Sequence, residues 1–242
     1  MSLRDHEALV PAPREAPDEP VLDNPAWAAL TGRHAPLGER HGLAARYLPD
    51  VSPFVALADH TDPAAWADLR TLLGPDAVTV ITAPLVHVPA GWAVVEQGEG
   101  VQLVDTHLDV SPDPEAVPLG PADVPEMLDL VARTQPGPFL PRTVELGTYR
   151  GVRRDGRLVA MAGERLQPPG WTEISAVCTD PDHRGEGLAT RLVRDVAHGI
   201  RARGEQPFLH AAASNTPAIR LYLSIGFTLR RRTTFALVGT PS

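Results

Sequence analysis

The stretch Val177-Cys178-Thr179-Asp180-Pro181-Asp182-His183-Arg184-Gly185-Glu186-Gly187-Leu188-Ala189 constrains the fold more than any other part of this chain. The run ending at Thr179 reads as a strand, the segment from Asp180 as a short loop, and the glycines as the opening of a helix that buries Leu192, Val193, Val196 and Ile200. A helix that opens on glycines leaves its first N–H groups bare, with the positive end of the helix dipole behind them. That combination holds a phosphate.

Glycine alone is weak evidence, because it is common in strand-to-helix turns for its φ freedom. A dinucleotide-binding G-x-G-x-x-G is the nearest competitor, but Thr190 stands where the third glycine belongs. All 22 basic residues are arginine, which excludes a Gly-Lys-Ser/Thr phosphate loop and a Schiff-base lysine.

The flanking elements carry more. Residues 116–119 read as a short strand and 121–134 as a helix with Val124, Leu128 and Val131 on one side. Strands are expected over 149–153 and 158–165, around the hairpin signal Asp155-Gly156. Further strands are expected over 171–179, 208–213, 227–229 and 233–238, and helices over 188–203 and 217–225, the second capped by Thr216 and ended by Gly226. This order, with Arg184-x-x-Gly187-x-Ala189 and Asn215-x-x-Ala218-x-x-Leu221-Tyr222-x-x-x-Gly226-Phe227, resembles the GNAT acetyltransferase superfamily over residues 117–238. The segment Phe208-Leu209-His210-Ala211-Ala212-Ala213 is similar to its glycine N-acyltransferase-like branch. The expected fold class is α/β (α+β), with a GNAT acyl-CoA N-acyltransferase domain in the C-terminal half.

The N-terminal half matches no named family. Residues 1–50, rich in Pro, Ala and charge, read as an extended arm anchored by Trp27, Leu30 and Tyr47. Residues 51–110 read as a small α/β N-terminal domain. Its strands are expected over 51–57, 77–82, 92–96 and 101–106. Its helix opens at Asp62 or Thr61, carries Trp66, Leu69 and Leu73 on one face, and stops at Gly74-Pro75. This unit resembles a degenerate half of the same type without a phosphate signature, and Ser111-Pro112-Asp113-Pro114 reads as the linker.

The resemblance implies acetyl-CoA as co-substrate. The backbone of Val177, Cys178 and Thr179 would pair with the pantetheine arm as an added strand. The N–H groups of Gly185, Glu186, Gly187, Leu188, Ala189 and Thr190 would ring the pyrophosphate, and Arg184 would add positive charge. Asn215 would bind the cofactor or act as a helix-cap neighbour. A backbone N–H near Val177 would hold the oxyanion. Tyr222 resembles the family's general acid for the departing thiolate, though Ala218, Leu221 and Ile225 on its helix leave a core role open.

An amine of pKa ~10.4 must also lose a proton, at a cost of roughly 4–5 kcal/mol at pH 7. Glu173 is the first candidate base, on the same strand face as Ser175 and Val177, with a solvated strand-end carboxylate as its bland alternative. His210 is the second, with a packing role open to it, and Glu164 the third. Cys178 invites an acyl-cysteine, but nothing basic is evidently placed to ionise it, so direct transfer in a ternary complex is expected. The acceptor is expected to be a small molecule or amino acid; protein N-termini and a non-catalytic acyl-CoA sensor are the alternatives. The triplet Arg230-Arg231-Arg232 reads as a charged edge strand.

Net charge is −8, with 6 Arg against 16 acids in residues 1–110 and 16 Arg against 14 in residues 111–242, which argues against a general nucleic-acid binder. No apolar run approaches the roughly 20 residues of a membrane span. The charged, proline-rich start lacks the apolar stretch of a secretory signal, and the single cysteine suits a reducing cytoplasm, so a cytoplasmic monomer or homodimer is expected. The nine histidines show no metal-ligand spacing.

Overall fold

A computed structural model describes residues 19–84 and 86–241. The strands are β1 (Gly38–His41), β2 (Ala44–Tyr47), β3 (Phe54–Leu57), β4 (Val78–Ala83), β5 (Ala93–Asp105), β6 (Val117–Leu119), β7 (Tyr149–Arg154), β8 (Arg157–Glu164), β9 (Trp171–Thr179), β10 (Gln206–Ala212) and β11 (Phe227–Gly239). The helices are α1 (Pro25–Leu30), α2 (Pro63–Leu73), α3 (Val124–Thr134), α4 (Leu188–Ala202) and α5 (Thr216–Ser224). One sheet runs through both halves in the order β1-β2-β3-β4-β11-β5-β10-β9-β8-β7-β6.

The local causes are conventional. The Asp62 carboxylate accepts the Ala64 N–H at 2.8 Å, Pro63 takes the first turn of α2, and Gly74 at φ 79° ends it. Helix α4 buries Leu188, Leu192, Val193, Val196, Ala197 and Ile200 against strand residues that include Val159, Ile174 and Leu209. Helix α5 is capped by Asn215, whose Oδ1 accepts the Ala218 N–H at 3.3 Å, rather than by Thr216.

The N-terminal half departs from expectation in three respects. Residues 1–18 lie outside the described residues, but the rest of the expected arm is folded: it holds α1, β1 and β2, with Leu22, Leu30 and Tyr47 buried. Asn24 accepts the Trp27 N–H and Pro25 opens α1, so a capped helix of six residues arises where no periodicity could show it. The expected strands over 92–96 and 101–106 are one strand, β5. That strand lies between β10 and β11, pairing Phe208 with Val104 on one side and Phe227 with Asp105 on the other. In return, β11 runs on to pair Thr234–Gly239 with β4. Each half thus completes the sheet of the other.

The stretch 111–114 is pinned rather than slack. Asp113 is buried, bound by Arg191 at 2.6 and 2.7 Å, and its N–H donates to Asp195 at 2.9 Å. The arginine triplet is a second correction: β11 is an interior strand, not an edge. A bulge between Leu229 and Arg231 turns Arg230 inward, where it donates to Gln102 Oε1 at 2.9 Å and to Asp23 at 2.7 Å.

Candidate active site

Strands β9 and β10 start as a parallel pair, Trp171–Gln206 through Glu173–Phe208, and then part. Beyond that point the edge of β9 from Ile174 to Thr179 has no strand beside it, and a cavity of about 1140 Å³ opens there, reaching Ile174, Val177, His210, Asn215 and Tyr222. The parting has a local cause in β9. Between Met161 and Gly163 the register with β8 slips, and Ala176 adopts φ 53°, a left-handed conformation rare for a residue with a Cβ.

Asp180 N–H donates to Val159 of β8, so strand alternation turns the Cys178 backbone toward β8 as well and leaves Val177 and Thr179 facing the split. Val177 and Thr179 thus turn their backbone groups to the split, and Cys178 does not. The Cys178 thiol sits in the apolar cluster with Met127 and Met161, and burial pushes its pKa up to about 11.

At the far end of the split, α4 opens behind its N-cap Gly187 (φ 75°), two residues after Gly185 (φ 87°). None of the six consecutive amides from Gly185 to Thr190 donates to an acceptor among the described residues. A Cβ at either glycine would meet open space, so the opening of the helix is unobstructed as well as bare. Arg184 is exposed beside it. The Glu186 carboxylate is turned aside toward His183 Nδ1 at 3.0 Å and Arg154 at 3.9 Å, and the Leu188 side chain enters the core. These two, with Ala189 and Thr190, therefore offer the opening their amides.

Glu173 does not reach the cavity. It is 0% exposed; Arg165 grips both carboxylate oxygens at 2.8 and 2.6 Å, and His210 Nδ1 lies 2.7 Å from Oε1. Burial disfavours the charged form, but the Arg165 guanidinium and His210 outweigh it and hold the pKa at about 2. A carboxylate that weakly basic, with its oxygens occupied, is a poor proton acceptor. Glu164, the third candidate, is also consumed: it binds Arg203 at 2.9 Å, the Thr148 N–H at 3.2 Å and Gln167 at 3.1 Å.

His210 does line the cavity, and its tautomer follows from its neighbours. Gln102 Oε1 accepts from Arg230, so its amide nitrogen is the donor, reaching the Leu22 carbonyl at 2.8 Å and His210 Nε2 at 3.1 Å. His210 Nε2 is therefore the acceptor, and Nδ1 carries the hydrogen given to Glu173. Both ring nitrogens are in use.

Tyr222 stands on α5 facing the cavity, with its ring edge-on to Phe227 at 6.1 Å. Burial, with a smaller push from Cys178, raises its pKa to about 12. Its hydroxyl has no hydrogen-bond partner among the described residues and is free for a ligand.

Sequence reasoning missed Arg165, Gln102 and Ala176. Gln102 could have been noticed, as a polar residue inside the apolar run Val101-Gln102-Leu103-Val104. Nothing local marks Arg165 as the partner of Glu173 or Ala176 as left-handed.

Known proteins share this architecture. An FR47-like protein family model matches residues 147–236. Over 78 residues the chain is 38% identical to a mycothiol acetyltransferase from Thermomonospora curvata, covering 32% of this chain and 26% of that protein. Over 90 residues it is 39% identical to the N-alpha-acetyltransferase RimI of Mycobacterium tuberculosis, covering 35% of this chain and 56% of RimI. The chain thus spans a quarter to about half of these curated relatives. A GCN5-related N-acetyltransferase from Kribbella flavida shares the fold at 19% identity, with a TM-score of 0.59 over 90% of this chain and 94% of that one. A crystal structure assigned to the GNAT family, from Novosphingobium aromaticivorans, is 43% identical, covers 93% of this chain and 100% of its own, and superimposes with a TM-score of 0.84. Parted strands, bare helix opening and full-length likeness agree: the chain belongs to the GNAT acetyltransferase family.

Proposed function

We propose that this chain transfers an acetyl group from acetyl-CoA to a primary amine by direct attack in a ternary complex, with a small molecule or amino acid as acceptor. The observation that carries the reading is the run of six undonated amides at the far end of the parted strands. The diphosphate lies on the amides of Gly185 to Thr190, with Arg184 beside them. The pantetheine arm lies in the split, against the backbone of Val177 and Thr179, with Asn215 on the opposite wall.

The amine nitrogen forms a bond to the thioester carbon as the carbon–sulfur bond breaks. The Val177 N–H, within the bulge of β9, stabilises the oxyanion, a contact worth about 3–4 kcal/mol in comparable sites. Tyr222 gives its proton to the leaving thiolate. Glu96 and Glu99 are the only carboxylates lining the cavity among the described residues, and both are exposed at its mouth. The amine's proton leaves toward solvent there. Glu173 acts through His210, holding the ring at the cavity wall rather than receiving the proton itself.

Thiol release from acetyl-CoA, followed over a panel of amines, tests the reading. Turnover with at least one amine is the expected result, and binding of acetyl-CoA without thiol release from any amine favours the sensor alternative. Direct transfer makes a second prediction: Cys178→Ala keeps kcat within about twofold, and mass spectrometry detects no acetylated enzyme. A buried thiol with its pKa raised to about 11 is not a competent nucleophile near neutrality. Loss of activity in a folded Cys178→Ala variant would restore the acyl-cysteine route.

A further inference from the structure

Strand register fixes which side chains share the floor of the cavity. Gln102 pairs with His210, Gly98 with Phe235 and Glu96 with Leu237; Leu237 pairs in turn with Val80, and Val80 with Phe54. Directly paired residues point to one face of a sheet. The face that carries His210 therefore also carries Phe54, Val80, Phe235 and Leu237, and all of them line the cavity. The opposite face is filled, with Ile81, Ala236 and Val238 packed beneath α2 against Trp66 and Leu69. Phe235 and Leu237 stay partly exposed, although Ala236 and Val238 beside them are 0% exposed.

Two glycines shape this shelf. A Cβ at Gly100 would lie 2.2 Å from the Phe235 ring, so that ring lies across Gly100. A Cβ at Gly98 would meet nothing within 4 Å, so the space over Gly98 is open. The charges are sparse. Arg165 is neutralised by Glu173, and Arg232 lies 3.5 Å from Glu99. Among the charged residues lining the cavity, only Glu96 and Arg220 are without an ion pair to a described residue. A polycationic acceptor would need several free acids and finds one.

Resting on the transferase reading, we propose that the acceptor is a monoamine with an aromatic or branched apolar body, which lies on Phe54, Val80, Phe235 and Leu237 while its nitrogen reaches the split between β9 and β10. Burial of a phenyl-sized group on such a shelf corresponds to roughly 30-fold or more in kcat/KM. The experiment compares phenethylamine, ethylamine and spermidine as acceptors for the full chain, with Gly98→Leu as a plug for the shelf. Phenethylamine should exceed the other two by at least about 30-fold. Gly98→Leu, checked for folding by thermal melting, should raise the KM for phenethylamine about tenfold or more and leave the Kd for acetyl-CoA unchanged. Equal or better use of spermidine or ethylamine would overturn the proposal, as would an unchanged phenethylamine KM in folded Gly98→Leu. Calorimetric binding of phenethylamine reads the shelf apart from turnover: binding lost in Gly98→Leu supports it, and no binding to the unaltered protein refutes it. Absence of thiol release with every amine strikes the transferase reading separately.

Discussion

Tyr222→Phe lowers kcat by about two to three orders of magnitude, the usual worth of a positioned general acid, and leaves the Kd for acetyl-CoA within about twofold. The phenol lines the cavity from α5 and has no hydrogen-bond partner among the described residues. Phenylalanine keeps the edge-on contact with Phe227 and loses only the hydroxyl. The pH profile separates this role from packing. A Tyr222 pKa raised to about 12 keeps the proton in place across pH 7–10, so the rate should climb with pH as the amine deprotonates and show no falling limb from this residue in that range. A folded Tyr222→Phe enzyme with unchanged kcat removes the tyrosine from the chemistry.

Glu173→Gln destabilises the fold by about 3–5 kcal/mol, the cost of leaving a buried cation without its partner. Arg165 has few alternatives: its guanidinium lies over the Phe54 ring at 4.9 Å, and its side chain is 14% exposed. The same pair makes stability depend on pH. The carboxyl pKa falls from 4.5 to about 2 on folding, so its contribution, about 3 kcal/mol, is fully present above pH 4.5 and is lost as pH falls from there toward 2. Denaturant unfolding at pH 7 and between pH 5 and 2.5 checks both statements. The Gln variant should lose most of the acid-induced decline that the unaltered chain shows over that interval. Equal stability of the two proteins at pH 7 would mean that the Arg165–Glu173 pair holds nothing together. Such a result would also end the case for Glu173 as the group that orients His210.

Much of the site could be read from local signals. The glycine opening of α4, the Asp155-Gly156 hairpin, the apolar face of α4 and the Asn…Tyr spacing on α5 are each written within a few turns of chain, where caps and periodicity decide the outcome. What escaped was non-local. No property of residues 93–105 announces that they will lie between β10 and β11, because that choice depends on partners more than a hundred residues away. The same distance hid the inward turn of Arg230 and its bond to Asp23. For Glu173 the strand position is legible in the sequence, and the pairing with Arg165, which occupies both carboxylate oxygens, is not. The α1 helix, six residues long, and the four-residue strands β1 and β2 are too short for any period to emerge from a background of Ala, Pro and charge.

The central claim is that the amides from Gly185 to Thr190 hold the diphosphate of coenzyme A. Calorimetric titration with coenzyme A and with pantetheine, which lacks the nucleotide and both phosphates of the bridge, tests it directly. Binding of coenzyme A at least about 100-fold tighter than pantetheine is the predicted result. Equal affinities, or no heat with coenzyme A, would contradict the account.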